Sequence, residues 1–335
     1  MTRDSHHTVR LDVDCSSSAA FLSYLRSSIV GQSWYSNEYF NWKISTNPYQ
    51  DSASYLRVCA DRAAAHCSIV SKPPNPIACG TNRLAELGDT HTHPEFQKQG
   101  HFASLGRYVI DDYSSRAECR GALIYGLPNE AALPGWTRSI GCRQLDHLRI
   151  DEMRWLPSRG LPSLMSAYLQ RQSHHLVPTS DAVSVADQIW PLIERRGSLV
   201  RKDGEWWRWR YATSVDSYQT YILASRKDGE TAGWLVLREL PTRVLGVRRI
   251  AVCDIVTRGD DTDLAAISLV LRLAWPLRVV SIWWDCDGSQ RGRLEAMGFR
   301  HHRPVPVIFA DNEAFRELFR NRTPLRLSMG DSDVI

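Results

Sequence analysis

One order of elements occurs twice in this chain, and that repetition constrains its fold more than any other feature. In the first half, strand-like runs at Tyr55–Ala60 and His66–Ser71 flank the Asp61-Arg62 turn, and a third covers residues 82–90. A helical pattern over 99–117, a strand-like run at Gly121–Tyr125 and a helical pattern over 130–140, stopping before Gly141, complete the set. The second half answers in the same order: a hairpin of Tyr218–Ser225 and Thr231–Glu239, then Arg249–Val256, Leu264–Ala274, Val279–Trp284 and a helix ending at Gly298. Trp206-Trp207-Arg208-Trp209-Arg210 answers Phe40-Asn41-Trp42-Lys43, and Asp254 falls near the place of Asp89. The spacing drifts only from 167 residues (Trp42 to Trp209) to 157 (Gly141 to Gly298), which an internal duplication with short indels explains. Ahead of the first set, residues 17–30 carry apolar groups at helical spacing, and 34–44 form an aromatic stripe that reads as core. Pro157, Pro162 and Pro178, among many Ser and Gln, mark a break. The expectation is an α/β protein of two tandem modules, each a mixed sheet flanked by helices: residues 1–155, a connector over 156–184, and residues 185–335.

Composition removes several function classes. The chain is 43% hydrophobic and 23% charged, ordinary for a protein with real cores. Its longest apolar run, residues 267–277, contains Arg272 and Pro276 and falls well short of the roughly 20 residues that span a bilayer. No apolar segment follows the initial Met, so a secretory signal is not expected and a cytoplasmic location is. The eight cysteines form no C-x-x-C pair and read as reduced, buried thiols. A net charge of +4, dispersed along the chain, is too weak to indicate a nucleic-acid partner. His91 and His93 would share a strand face, but no Cys, His or carboxylate at standard spacing completes a zinc site, so no metal is expected. His6-His7, His174-His175 and His301-His302 read as incidental.

The most informative stretch runs from Asp89 to Leu105, following a strand and opening a helix. Gly100 lets the backbone approach a ligand without a Cβ. The unpaired N–H groups of the helix start, reinforced by the helix dipole, favour an anion. Gln97, Lys98 and Gln99 add side-chain donors, and His101 and Phe102 begin the helix. This is the chemistry a diphosphate needs, although a plain strand–helix turn would also carry a glycine here.

With these residues in place, the chain resembles the GNAT superfamily of acyl-CoA N-acyltransferases. Gln97-x-x-Gly100 matches the first two positions of its [RQ]-x-x-G-x-[GA] signature, and Phe102 departs from the small third one. A tandem subgroup with T-H-P-x-x-x-x-x-G-x-F-x-x-L is closer. Thr92-His93-Pro94, Gly100, Phe102, Leu105, Pro128-Asn129, Gly141 and the terminal Gly330-Asp331-Ser332-Asp333 all fit it. The resemblance is specific over 86–142 and pattern-level elsewhere. It implies a V-shaped splay between the strands at 83–90 and 121–125, into which a pantetheine arm inserts. Acetyl-CoA or another acyl-CoA would be the co-substrate, held by Gln97, Lys98, Gln99, Gly100, His101 and Phe102. Asn129 would lie near the pantetheine, and equally reads as a helix N-cap.

Acyl transfer to an amine requires a proton acceptor, a polarised carbonyl and a stabilised leaving thiolate. Glu86, Asp89 and His93, with His91, are the candidate bases, and Tyr125 is the candidate acid. Glu86 and Asp89 face opposite sides of a regular strand, and a bulge would change that. In the second module, Thr257-Arg258-Gly259-Asp260-Asp261-Thr262-Asp263 stands where the phosphate loop should be, and its acids would repel a diphosphate. The expected function is N-acyl transfer to a primary amine of a small molecule by direct attack in a ternary complex. The alternatives are a non-catalytic acyl-CoA sensor and an aminoacyl or peptidyl transferase of the tandem type.

Overall fold

The computed structural model describes residues 6–11, 37–59, 62–145, 148, 150–157, 173–240, 248–275, 278–285, 288–321 and 325–332. The helix expected at 17–30 and the aromatic residues Trp34 and Tyr35 lie outside them. The chain divides into two units, Met1–Leu145 with Pro306–Arg322, and Asp146–Val305 with Thr323–Ile335.

In the first unit, β1 (His6–Leu11), β2 (Ala53–Cys59), β3 (Arg62–Lys72), β4 (Leu84–Thr92) and β5 (Leu123–Gly126) form a six-stranded sheet, completed beside β5 by β13 (Ile308–Phe309). Every pairing is antiparallel except β4 with β5. The short α1 (Asn37–Phe40) runs into a π turn, Asn41–Ser45, and α2 (His101–Ser115) follows β4. Alternation along the strands gives the sheet two characters. Ala85 and Leu87 of β4 and Cys67 and Ile69 of β3 join Leu105, Val109 and Tyr113 of α2 and Trp136 in one apolar core. Within the described part of the aromatic stripe, Tyr39 and Trp42 are buried core residues and Phe40 is half-buried.

The second unit holds a seven-stranded sheet in the order β12-β6-β11-β10-β9-β8-β7. Its strands are β6 (Ile150–Trp155), β7 (His174–Thr179), β8 (Gln219–Ser225), β9 (Thr231–Leu240), β10 (Arg248–Thr257), β11 (Arg278–Asp285) and β12 (Phe299–Val305). Here α3 (Val183–Ile193) and α4 (Asp260–Ala274) cover opposite faces. Ile250 and Val252 of β10 pack with Leu264, Ile267 and Leu271 of α4, whereas Ala251 and Cys253 pack with Ala186, Ile189 and Trp190 of α3. Burial on both faces explains the near-continuous apolar stretches of the central strands β9 and β10.

The duplication is visible in detail. Each unit has a short helix passing into a π turn, Asn41–Ser45 in one and Arg208–Ala212 in the other. Each has a bulge on the strand before its long helix, at Asp89-Thr90 and at Cys253, next to Asp254. The division of the chain is discontinuous and does not follow single cuts at 155 and 184. β6 pairs with β11 and β12, the segment 306–322 belongs to the first unit, and β7, inside the expected connector, pairs with β8. Strand partnership, which hydropathy does not encode, decides this.

Candidate active site

In the first unit β4 and β5 pair in parallel only from Leu84 and Leu123 to Leu87 and Gly126. There β5 ends while β4 continues to Thr92, so the two strands part beyond Gly126. A side chain at Gly126 would meet the Leu87 carbonyl at 3.3 Å, so glycine permits this close approach at the fork.

The loop above the fork is built by local hydrogen bonding. His93 Nδ1 accepts from the Glu95 N–H at 3.2 Å and opens a 3-10 turn, Pro94–Phe96. Lys98 and Gly100 adopt left-handed φ values of 62° and 82°, and α2 begins at His101. Ser104 N–H makes the first bond of the helix, to the Gly100 carbonyl. The N–H groups of His101, Phe102 and Ala103 therefore precede the helical ladder and lie where an anion binds. Residues 97–100 are exposed.

The side chains divide differently from expectation. Gln97 Nε2 donates to the Thr92 carbonyl at 3.4 Å and Gln99 Nε2 to the Glu95 carbonyl at 2.8 Å, so both brace the loop. Phe102 packs edge-on against Trp136 at 5.2 Å, in the core rather than in the loop. A Cβ at Gly135 would meet its ring at 2.6 Å, so the large residue at this helix start has a glycine opposite it. Asn129 Oδ1 accepts from the Ala132 N–H at 2.8 Å, which is the capping role.

The bulge on β4 sets how the candidate acids are arranged. Ser68 pairs with Gly88 and His66 with His91, so Asp89 and Thr90 together oppose Cys67. Asp89 takes a φ of 46°, and its carboxylate turns to Ser68. Glu86 and Asp89 thereby share the sheet face opposite α2, and Tyr125, in parallel register with Glu86, shares it too. Glu86 forms a buried ion pair with Lys72 at 3.0 Å. Asp89 Oδ2 accepts from Lys43 Nζ at 2.7 Å and Ser68 Oγ at 3.0 Å. Tyr125 is fully buried. The cap bond on His93 Nδ1 puts the proton of its neutral ring on Nε2, which then offers a donor instead of a base's lone pair. Burial and the neighbouring His93 lower the pKa of His91.

Lys43, Lys72, His66 and Ser68 were not among the sequence candidates. A lysine inside an aromatic stripe and another closing an apolar strand were the available signals, because a charge in an apolar run calls for an opposite charge nearby. His66 is held on both sides, with Nδ1 2.7 Å from the Asp89 carbonyl and Nε2 2.7 Å from Ser54 Oγ. A carbonyl only accepts, so Nδ1 carries the proton and Nε2 accepts from the serine. Burial drives the His66 pKa down to about 4, against a smaller upward pull from Asp89. In the unfolded chain this histidine protonates near 6.5. The stabilisation is therefore complete above pH 6.5 and lost as pH falls towards 4, by about 3 kcal/mol in total. Urea unfolding at pH 7 and pH 4.5 should show wild type losing more stability on acidification than a His66→Gln variant. Equal losses would contradict the neutral assignment.

The second unit repeats the fork without the loop. β10 and β11 pair from Arg248 and Arg278 to Val252 and Ile282, then part. The space beyond is a cleft of about 820 Å³, counting its open mouth, lined by Ile193, Val252, Ile255, Trp283 and Trp284 with Lys202 and Asp331 among its polar groups. At its mouth the start of α4 is occupied by the protein's own charges. Arg196 binds Asp260 and, at 2.9 Å, Asp263; Arg326 reaches Asp260 at 3.2 Å; Thr257 Oγ1 donates to Asp263 at 2.6 Å. Arginine-bound carboxylates thus stand at this helix start, where the first unit has its open loop.

No known family profile matches the chain, and no curated protein matches it in sequence. Solved structures do match its fold. A GCN5-related N-acetyltransferase from Anabaena variabilis superposes with a TM-score of 0.64 at 12% identity, over 90% of this chain and 72% of that one. A protein from Enterococcus faecalis described as a probable N-acyltransferase gives 0.62 at 12% identity, over 91% and 72%. A tandem GNAT protein from the clavulanic acid biosynthesis pathway gives 0.59 at 12% identity, over 91% of this chain and 98% of that one. The fold is that of the GCN5-related N-acetyltransferases. It is carried here as two tandem modules. Among the described residues no helix is long and apolar enough to cross a membrane.

Proposed function

We propose that the protein is an acyl-CoA-dependent N-acyltransferase, with acetyl-CoA as the default donor and a primary amine of a small molecule as acceptor. The observation that carries this reading is the backbone at Lys98–Ala103: two left-handed residues turn an exposed loop into a helix start whose first N–H groups precede the ladder. The diphosphate would rest on these amides, with Lys98 adding a cation, and the pantetheine would enter the fork between β4 and β5. The amine would attack the thioester carbonyl directly, forming the amide C–N bond as the C–S bond breaks. Its proton would pass to the Asp89 side of the fork, and the departing thiolate would take one up. The second unit, with its own carboxylates at the helix start, would bind no acyl-CoA.

A second reading, an acyl-CoA sensor without turnover, rests on one observation: both carboxylates at the fork are tied to lysines, Glu86 to Lys72 and Asp89 to Lys43. Thiol release from acetyl-CoA, assayed with a panel of amino sugars, diamines and amino acids, separates the two. The enzyme reading expects amine-dependent release, with calorimetry giving one equivalent of CoA bound per chain. Binding without release favours the sensor, and two equivalents per chain would overturn the assignment of a single cofactor site.

A further inference from the structure

At the outer edge of the first sheet, three residues far apart in sequence bring soft donor atoms together. His6 of β1 and Cys59 of β2 are directly opposed in antiparallel register. His101, the first residue of α2, faces the same point, its ring 5.2 Å from that of His6 and inclined at 70°. One nitrogen of each imidazole and the Cys59 sulfur all lie within 4.8 Å of one another. Cys59 is a free, buried thiol and His101 is buried, whereas His6 is exposed. Phe96 packs edge-on against the His101 ring at 5.8 Å.

We propose that His6, Cys59 and His101 form a binding site for one zinc ion, with a fourth position open to water. Two imidazoles and a thiolate suit a borderline-soft, tetrahedral cation, and exclude calcium and magnesium, which take oxygen ligands. Bonds of about 2.0–2.3 Å place the donors roughly 3.5 Å apart, so binding draws the three side chains closer together. The exposed His6 has the freedom to make that movement. The Cys59 thiol proton leaves to solvent on binding. The consequence is structural: the ion ties the edge strand β1 to the first residue of α2, directly after Gly100. The donors are side-chain atoms, whereas the loop offers backbone N–H groups, so the two sites are tested separately.

The test uses the full chain, stripped with chelator and titrated with Co²⁺ as the spectroscopic probe. One equivalent should bind per chain, with a thiolate-to-cobalt charge-transfer band in the near ultraviolet and the intense visible bands of a tetrahedral site, and Zn²⁺ should displace it. Cys59→Ser should abolish the charge-transfer band. His6→Ala, at an exposed position on an edge strand, should weaken Co²⁺ at least tenfold while circular dichroism stays unchanged. No binding, a charge-transfer band that survives in Cys59→Ser, or an unaltered affinity in His6→Ala would each overturn the site. If Cys59→Ser does not fold, the His6→Ala titration decides alone.

Discussion

Replacing Gly100 by glutamate is expected to lower the affinity for acetyl-CoA by at least about 100-fold, close to 2.7 kcal/mol. Two effects combine. Gly100 sits at φ 82°, where a residue with a side chain costs about 1–2 kcal/mol. The added carboxylate would also stand at a helix start where the proposed diphosphate must lie, so two anions would compete for the same amides. The fold should survive. A Cβ at Gly100 meets nothing within 4 Å, and an acid at a helix N-terminus interacts favourably with the dipole. Gly100→Ala carries the strain alone and should lose roughly tenfold or less. Isothermal titration of both variants with acetyl-CoA checks the pair. An undiminished affinity in Gly100→Glu would remove the loop from the cofactor site and the acyltransferase reading with it.

The largest effect on stability is expected at Lys202 in the second unit. Its ammonium, almost fully buried, binds Asp254, Ser328 Oγ at 2.7 Å and Asp331 at 3.0 Å. Tyr211 donates to the other oxygen of Asp254, and Ser328 closes the group through both acids. Burial opposes the Lys202 charge, but the two carboxylates outweigh it and hold its pKa above the usual lysine value. Burial raises the pKa of Asp331, with Lys202 pulling against it. Lys202→Met would leave two carboxylates buried beside each other without a cation, at a cost of about 3–5 kcal/mol. Against typical stabilities of about 5–15 kcal/mol, that is enough to bring the chain near unfolding at 37 °C. The loss should shrink as pH falls from 8 to 5. Burial already holds the Asp331 carboxyl above its unfolded value, and loss of the lysine that pulls against it raises it further, so protonation relieves the folded state first. Urea unfolding across that pH range tests this. A variant as stable as wild type, or a loss that grows on acidification, would show that the lysine does not hold the group together.

An aspartate stands at or beside the bulge in both modules, and each module supplies a buried lysine to it, Lys43 for Asp89 and Lys202 for Asp254. The lysines come from different places. Lys43 lies in the π turn after α1, where the second module has Arg210, which instead binds the Gly330 and Ser332 carbonyls. The corresponding strands thus carry the same acid while their cations come from different elements, and Ser328 and Asp331 complete the group in the second module. One module presents an open loop above its fork, and the other fills the corresponding helix start with Arg196, Asp260 and Asp263.

Periodicity along the chain already determined the repeated order of elements, the long helices after β4 and β10, and the glycine loop before α2, because each depends on residues near in sequence. The acids before β10's helix likewise marked the missing loop. Four things were decided only in three dimensions. β6 and β13 pair away from their expected modules because a strand's edge accepts any partner the topology delivers. The bulge at Asp89 reverses the alternation, so Glu86 and Asp89 share a face that a regular strand would have separated. Lys43, Lys72 and Lys202 matter because burial requires each charge to find its opposite, and those partners lie on other strands and turns. His6, Cys59 and His101 meet because β1, β2 and the start of α2 converge, and no spacing within the sequence encodes that distance.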